Sequence, residues 1–180
     1  MSAGTSAAKP THAATQKTQQ NASWVSARLQ RVQDGDSLLV TLGDGQTEKL
    51  RIAGIDAPER TQPFSGRSRK HLLSLLEARP LRYRALKRDQ YGRQIVILHS
   101  QQGKQRIDVN RAMLEAGMAW YFRRYERELP AELRSPYARA ETEARRHRRG
   151  LWSESSPQPP WEFRRQKRRR NTTTSTGTKP

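Results

Sequence analysis

The sequence contains no cysteine, which excludes disulfides and thiolate metal sites and leaves the redox compartment open. Aromatic residues make up only 7%, and 17 Asp and Glu face 35 Lys and Arg. No apolar run approaches the length that spans a bilayer, so no membrane is expected as a partner. Met1 to Gln20 lack the apolar core of a secretory signal. A chain beginning this way is expected in the cytoplasm; one from which a signal had been removed would be periplasmic or secreted. Mean hydropathy is -1.02 and 33% of residues are hydrophobic, so folding requires the apolar residues to be concentrated. They are, between Trp24 and Trp152, enough for one domain with a core and expected to act as a monomer.

What the chain has in excess is positive charge: formally +18, with a pI near 11.3. Residues 24–153 retain 26 Lys and Arg against 15 Asp and Glu, a net of +11, so the folded part is basic without help from the ends. A surplus of this size binds polyanions through counterion release, which makes nucleic acid the first partner to consider. Three regions follow from composition: a disordered arm over 1–22, a domain over 23–153, and a proline-containing linker with a polybasic tail over 154–180. The run Arg164 to Arg170 in that tail reads equally as a polyanion-steering or address signal and as a solvated end.

Strand character starts at Trp24-Val25 and runs to Val32, resumes over Ser37 to Leu42, and returns over Glu48 to Ile55 after the hairpin signal Gly43-Asp44-Gly45. The spacing predicts a helix over Ser65 to Glu77, ended by Pro80, then strands over Leu81 to Lys87 and Arg93 to Leu98. A second helix is predicted over Asp108 to Ala116, with Gly117 beyond its end. A third is predicted from Ser135-Pro136, as cap and first residue, to Arg149. The fold class is α+β, mainly β: a five-stranded OB-fold barrel with three packed helices and disordered tails.

Three acid-rich or arginine-bearing motifs punctuate these elements: Asp34-Gly35-Asp36, then Arg51 through Asp56-Ala57-Pro58-Glu59, then Asp89-Gln90-Tyr91-Gly92-Arg93. Cleaving a phosphodiester needs a hard cation on oxygen ligands, a base for water, and cations for the developing phosphorane charge. Arg51 and Asp56 lie an odd number of positions apart, so a regular strand would point them to opposite faces; a bend at Gly54 would reunite them. On its own, Asp36 reads equally as a turn acid. Arg93 could be a solvated strand residue, although its place directly after Tyr91-Gly92 favours function. The histidines, His12, His71, His99 and His147, show no ligand spacing, which argues against zinc.

These motifs, with Asp108-Val109-Asn110, Ala116 to Trp120, Ala144-Arg145 and Arg149 to Trp152, together resemble the staphylococcal nuclease (thermonuclease) family across residues 24–153. The resemblance implies an OB-fold barrel that hydrolyses DNA and RNA with calcium (Ca2+), breaking the 5′ P–O bond to leave 3′-phosphate ends. It further implies Asp36 and Asp56 as carboxylate metal ligands, with the backbone carbonyl of Ala57 where the family has a threonine. Glu59 matches the glutamate often assigned as general base, and Arg51 and Arg93 match the phosphate-gripping arginines. Tyr91 matches a nucleotide-contacting tyrosine, while Gln90 replaces a lysine common before it. A second such tyrosine would be Tyr121 or Tyr125. Trp120 to Phe122 could stack on bases, though Trp120 beside Ala119 also reads as core. The contrasting reading is a catalytically weak or inactive nucleic-acid-binding module of the same fold.

Overall fold

Alternation of apolar and polar residues between Val25 and Ile52 produces an antiparallel meander in the computed structural model, which describes residues 23–175. The expected arm over 1–22 lies outside the described residues. Strands β1 (Val25–Val32), β2 (Ser37–Leu42) and β3 (Thr47–Ile52) pair with Leu29 opposite Val40 and Leu38 opposite Leu50. The glycine-rich hairpin closes through Gly45 N–H donating to the Leu42 carbonyl (3.0 Å). Along β2 and β3, Leu38, Val40, Leu50 and Ile52 are buried, the period-two face that a barrel interior demands.

After a two-residue strand β4 (Ile55–Asp56) and helix α1 (Ser65–Leu76), the chain returns as β5 (Leu81–Arg88) and β6 (Gln94–Gln102). Strand β5 pairs antiparallel with both β1 and β6. The barrel closes because β6 also runs parallel to β3, with Arg51 opposite Ile95. The expected α+β five-stranded barrel is therefore formed by β1, β2, β3, β6 and β5. Two further strands were not expected: β7 (Gln105–Asp108), which extends β6 as a hairpin, and β8 (Trp120–Tyr121), which pairs with β4.

Helix α2 (Val109–Glu115) begins at Asp108, whose carboxylate accepts from the Arg111 N–H (3.1 Å) as an N-cap. Leu72 and Leu76 of α1 and Val109 and Met113 of α2 are buried in one core with the barrel residues. Helix α3 (Ala131–Arg146) starts four residues before the predicted cap, and Pro136 lies inside it. Leu129 and Tyr137 are both buried, and that packing holds the earlier turn against the loss of one proline N–H. The stretch read as linker and polybasic tail folds over Pro160–Ser175 as helix α4. Pro160 takes the first helical position, and the Pro159 carbonyl accepts from Glu162 and Phe163 N–H. Among the described residues no helix is long and apolar enough to cross a membrane.

Candidate active site

The acids come together because the chain turns sharply at two glycines. Gly54 adopts φ +74°, and a Cβ there would lie 2.7 Å from a Leu129 methyl, so this position needs glycine on both counts. The bend separates β3 from β4 and supplies the reversal that the odd Arg51–Asp56 spacing requires. Gly35 sits where a Cβ would fall 1.9 Å from Ser68 Oγ and 2.6 Å from the Ala57 Cβ. Its bare backbone lets the Asp34–Asp36 turn lie directly against α1 and the Asp56–Ala57 loop. Asp34 Oδ1 accepts from the Asp36 N–H (3.0 Å), which shapes that turn.

Asn110 locks the bend from behind. Its Oδ1 accepts from the Leu98 N–H (2.9 Å), and its Nδ2 donates to the carbonyls of Ala53 (2.9 Å) and Val96 (3.3 Å). Helix α2, strand β6 and the end of β3 are thereby joined through one buried side chain. The β4–β8 pairing places Asp56 opposite Trp120, and the Tyr121 N–H donates to the buried Glu141 carboxylate of α3 (2.9 Å).

Within this frame Arg51 bridges the two aspartates. Its guanidinium donates to Asp36 Oδ1 and, at 2.9 Å, to Asp56 Oδ1. Asp36 also accepts from Ser37 Oγ (3.0 Å) and, through Oδ2, from the Ala57 N–H (2.7 Å). Burial pushes the Asp36 carboxyl above its ordinary pKa, against the pull of Arg51. Burial alone would lower the Arg51 pKa; Asp36 and Asp56 outweigh it and hold the guanidinium above its usual value.

The second bridge was not expected. Arg164 of α4 donates from Nη1 to Glu59 Oε1 (2.7 Å) and Asp56 Oδ1 (3.2 Å), and from Nη2 to Asp56 Oδ2 (2.7 Å). The two carboxylates outweigh the lowering effect of burial and hold its guanidinium above the usual pKa. Asp36, Arg51, Asp56, Glu59 and Arg164 thus form one continuous network. Beside it a cleft of about 430 Å³ is lined by Glu59, Arg60, Thr61, Phe163, Arg164 and Lys167.

Arg93 stays outside this network. Its Nε donates to Asp89 Oδ2 (2.8 Å), Asp89 Oδ1 accepts from the Arg93 and Tyr91 N–H groups, and the guanidinium lies 5.5 Å from the Tyr91 ring centroid. It does stand immediately before β6, the strand paired with Arg51's own. Tyr91 is 69% exposed and Tyr125 45%, so both offer accessible rings. Tyr121 does not, and the expectation of a substrate contact there is corrected: it is buried, and its hydroxyl donates to Glu126 (3.0 Å). Trp120 is likewise core, edge-on to Trp152 and Trp161.

Among the described residues no three His, Cys, Asp or Glu side chains gather as a group able to hold a metal ion. The expected set is sparser than that: two carboxylates, one carbonyl and water. Its oxygen donors are the type that suits a hard cation, and of that set Asp36 and Asp56 already hold positive charge, from Arg51 on both and from Arg164 on Asp56. The sequence signals for Arg164 were Pro160, which fits a helix start, and the aromatic pair Trp161 and Phe163 just before it. Nothing in the sequence disclosed that the helix would fold back onto residues 105 and 108 positions earlier.

A family model described as staphylococcal nuclease homologue matches residues 49–154. A micrococcal nuclease of Shigella flexneri is 36% identical over 140 residues, spanning 75% of this chain and 78% of the relative. An uncharacterized endonuclease of Escherichia coli O157:H7 is 32% identical over 145 residues, or 79% and 87% of the two chains. The staphylococcal-like nuclease CAN1 of Arabidopsis thaliana is 35% identical over 120 residues, 67% of this chain and 34% of that protein. A family match over more than half the chain, with two bacterial relatives 36% and 32% identical over 78% and 87% of their own length, makes the chain a member of the staphylococcal nuclease homologue family.

Proposed function

We propose that this protein is a nuclease that hydrolyses phosphodiester bonds in DNA and RNA, leaving 3′-phosphate ends. The observation that carries the reading is the hydrogen-bonded network in which Arg51 joins Asp36 to Asp56 and Arg164 joins Asp56 to Glu59. The names of the relatives support it, as does a net charge of +18, which draws polyanions to the surface.

In this reading Asp36, Asp56 and the Ala57 carbonyl would hold a hard divalent cation, calcium on the chemistry of the donors. Such a cation, when bound, polarises a phosphate oxygen and neutralises charge that builds on it. Glu59 accepts the proton of the attacking water; its side chain is 38% exposed and so open to solvent. Arg51 and Arg93 donate N–H groups to the phosphate oxygens as negative charge develops. Both guanidiniums are already oriented, by Asp36 and Asp56 in one case and by Asp89 in the other, so little ordering is left for the moment of reaction. Tyr91 and Tyr125 offer exposed faces for bases.

Circular single-stranded DNA, incubated with calcium or with chelator, tests the reading. Linear fragments in calcium alone are expected, because only internal cutting opens a circle. The second reading, a nucleic-acid-binding module without catalysis, draws support from Arg164, which holds the carboxylates the reaction needs. DNA that is retarded in a gel yet uncut in excess calcium would establish it in place of the nuclease.

A further inference from the structure

Helix α4 is fastened over the acids at three separate points. Gln62 Oε1 accepts from the Glu59 N–H (2.8 Å), while its Nε2 donates to the Gln158 carbonyl (3.1 Å), which ties the segment before α4 to the Glu59 loop. Trp161 stacks on Phe122, with centroids 5.3 Å apart at 15°, and meets Trp120 edge-on at 5.6 Å. Trp120 is the residue opposite Asp56 in the β4–β8 pair, so this aromatic seat adjoins the acid cluster. From that seat, one turn along α4, Arg164 delivers its fork to Asp56 and Glu59.

The fork engages both oxygens of Asp56, one of the two carboxylates a cation would need. Asp56 Oδ2 accepts from Arg164, and Oδ1 is divided between Arg51 and Arg164. Asp56 is fully buried, whereas the Arg164 side chain is 34% exposed, so the guanidinium covers the carboxylate from the solvent side. Arg164 Nη2 lies 2.7 Å from Asp56 Oδ2, the oxygen that Arg51 leaves open, and a divalent ion brought to the same oxygen would be repelled at contact distance, where a partly buried site screens little.

We propose that Arg164 is an intramolecular occupant of the cation's seat, so that divalent-cation binding requires its guanidinium to leave Asp56 and Glu59. Helix α4 is then an autoinhibitory strap that keeps the hydrolytic site closed to metal until the ion displaces the arginine. This rests on the nuclease reading only for the choice of calcium. An apparent affinity is weakened by the fraction of molecules whose binding-competent arrangement is populated, and removing the competing arginine restores that fraction.

Isothermal calorimetry of calcium binding to the full chain tests this without any activity assay. Arg164→Gln is expected to bind calcium about tenfold or more tightly than the wild type. Lys167→Gln removes the same charge one turn further along the same cleft and is expected to change affinity by less than about threefold, the scale of a screened neighbour. Trp161→Ala, which undocks α4 and leaves Arg164 in the chain, is expected to tighten binding in the same direction; it carries the test if Arg164→Gln does not fold. Unchanged or weaker binding by Arg164→Gln, or equal gains in the Arg164 and Lys167 variants, would overturn the proposal and leave the nuclease reading standing. Absence of calcium binding in every variant would overturn both the proposal and calcium as the metal.

Discussion

Asn110 Nδ2 donates to the carbonyl of Ala53, 57 residues earlier, and so pins the bend that turns Asp56 towards Arg51. One buried amide on α2 thereby controls the aim of a carboxylate it never touches.

Replacing it with Asn110→Ala strands the Leu98 N–H and the Ala53 carbonyl in the core. Each buried orphan typically costs about 1–3 kcal/mol, so a destabilisation of roughly 3 kcal/mol is expected in urea denaturation. Asn110→Asp keeps the acceptor for Leu98 and turns a charged carboxylate towards two carbonyls. It is expected to be no more stable than Asn110→Ala.

Arg51→Met should be more damaging still. It leaves Asp36 and Asp56 buried with one cation fewer, a change that typically costs about 3–5 kcal/mol. The loss is expected to shrink towards acid pH, because burial already raises the Asp36 pKa and protonation removes the uncompensated charge. Thermal midpoints of wild type and variant between pH 4 and 7 would check this. A constant difference across that range would contradict it.

Stability should also respond to pH through His99, which stacks on Trp24 with centroids 4.1 Å apart. Burial lowers its pKa to about 4, assisted by Arg106, Arg84 and Arg82. Between that value and the ordinary 6.5 the unfolded chain binds more protons than the folded one, so stability rises with pH there. The contribution is complete above pH 6.5 and lost below about 4. His99→Phe, which keeps a ring against Trp24, is expected to flatten this slope in chemical denaturation at successive pH values.

The close approach at Gly35 predicts that Gly35→Ala displaces the turn carrying Asp36, since the new Cβ would fall on Ser68 Oγ and Ala57. Overpacking of this kind typically costs about 1–3 kcal/mol. Cleavage should fall more than stability does, because Asp36 moves relative to Asp56. Parallel melting and plasmid-cleavage measurements would separate the two effects.

For the reaction itself, Glu59→Gln and Arg93→Ala are each expected to slow plasmid cleavage in calcium by about 10²- to 10³-fold, the usual effect of losing one electrostatic or proton-transfer group. Full activity in both variants would reject the mechanism. A chelator should stop cleavage with the circular-dichroism spectrum unchanged, because the barrel core of Leu38, Leu50, Val96 and their neighbours packs without a metal.

Much of this was legible from residue order. Alternation predicted β1 to β3, Gly43 to Gly45 predicted the hairpin, and Gly54 predicted the bend, because each depends on neighbours within a few positions. Strand β8 was not legible: two residues carry no period, and Trp120-Tyr121 becomes a strand only because β4 lies beside it. The start of α3 was misplaced for a related reason. Pro136 resembles a first-turn residue locally, whereas burial of Leu129 and Tyr137 draws the helix back to Ala131.

Residue order by itself determined the barrel's strands, the family, and the inventory of acids and arginines, since these reside in local pattern and composition. Tertiary structure alone decided which side chains meet. It set Arg51 between two aspartates, kept Arg93 with Asp89, buried Tyr121, and brought Arg164 from α4 onto Asp56 and Glu59. Ion pairs between distant residues depend on where packed elements deliver their charges, and that placement has no signature in the spacing of the residues along the chain.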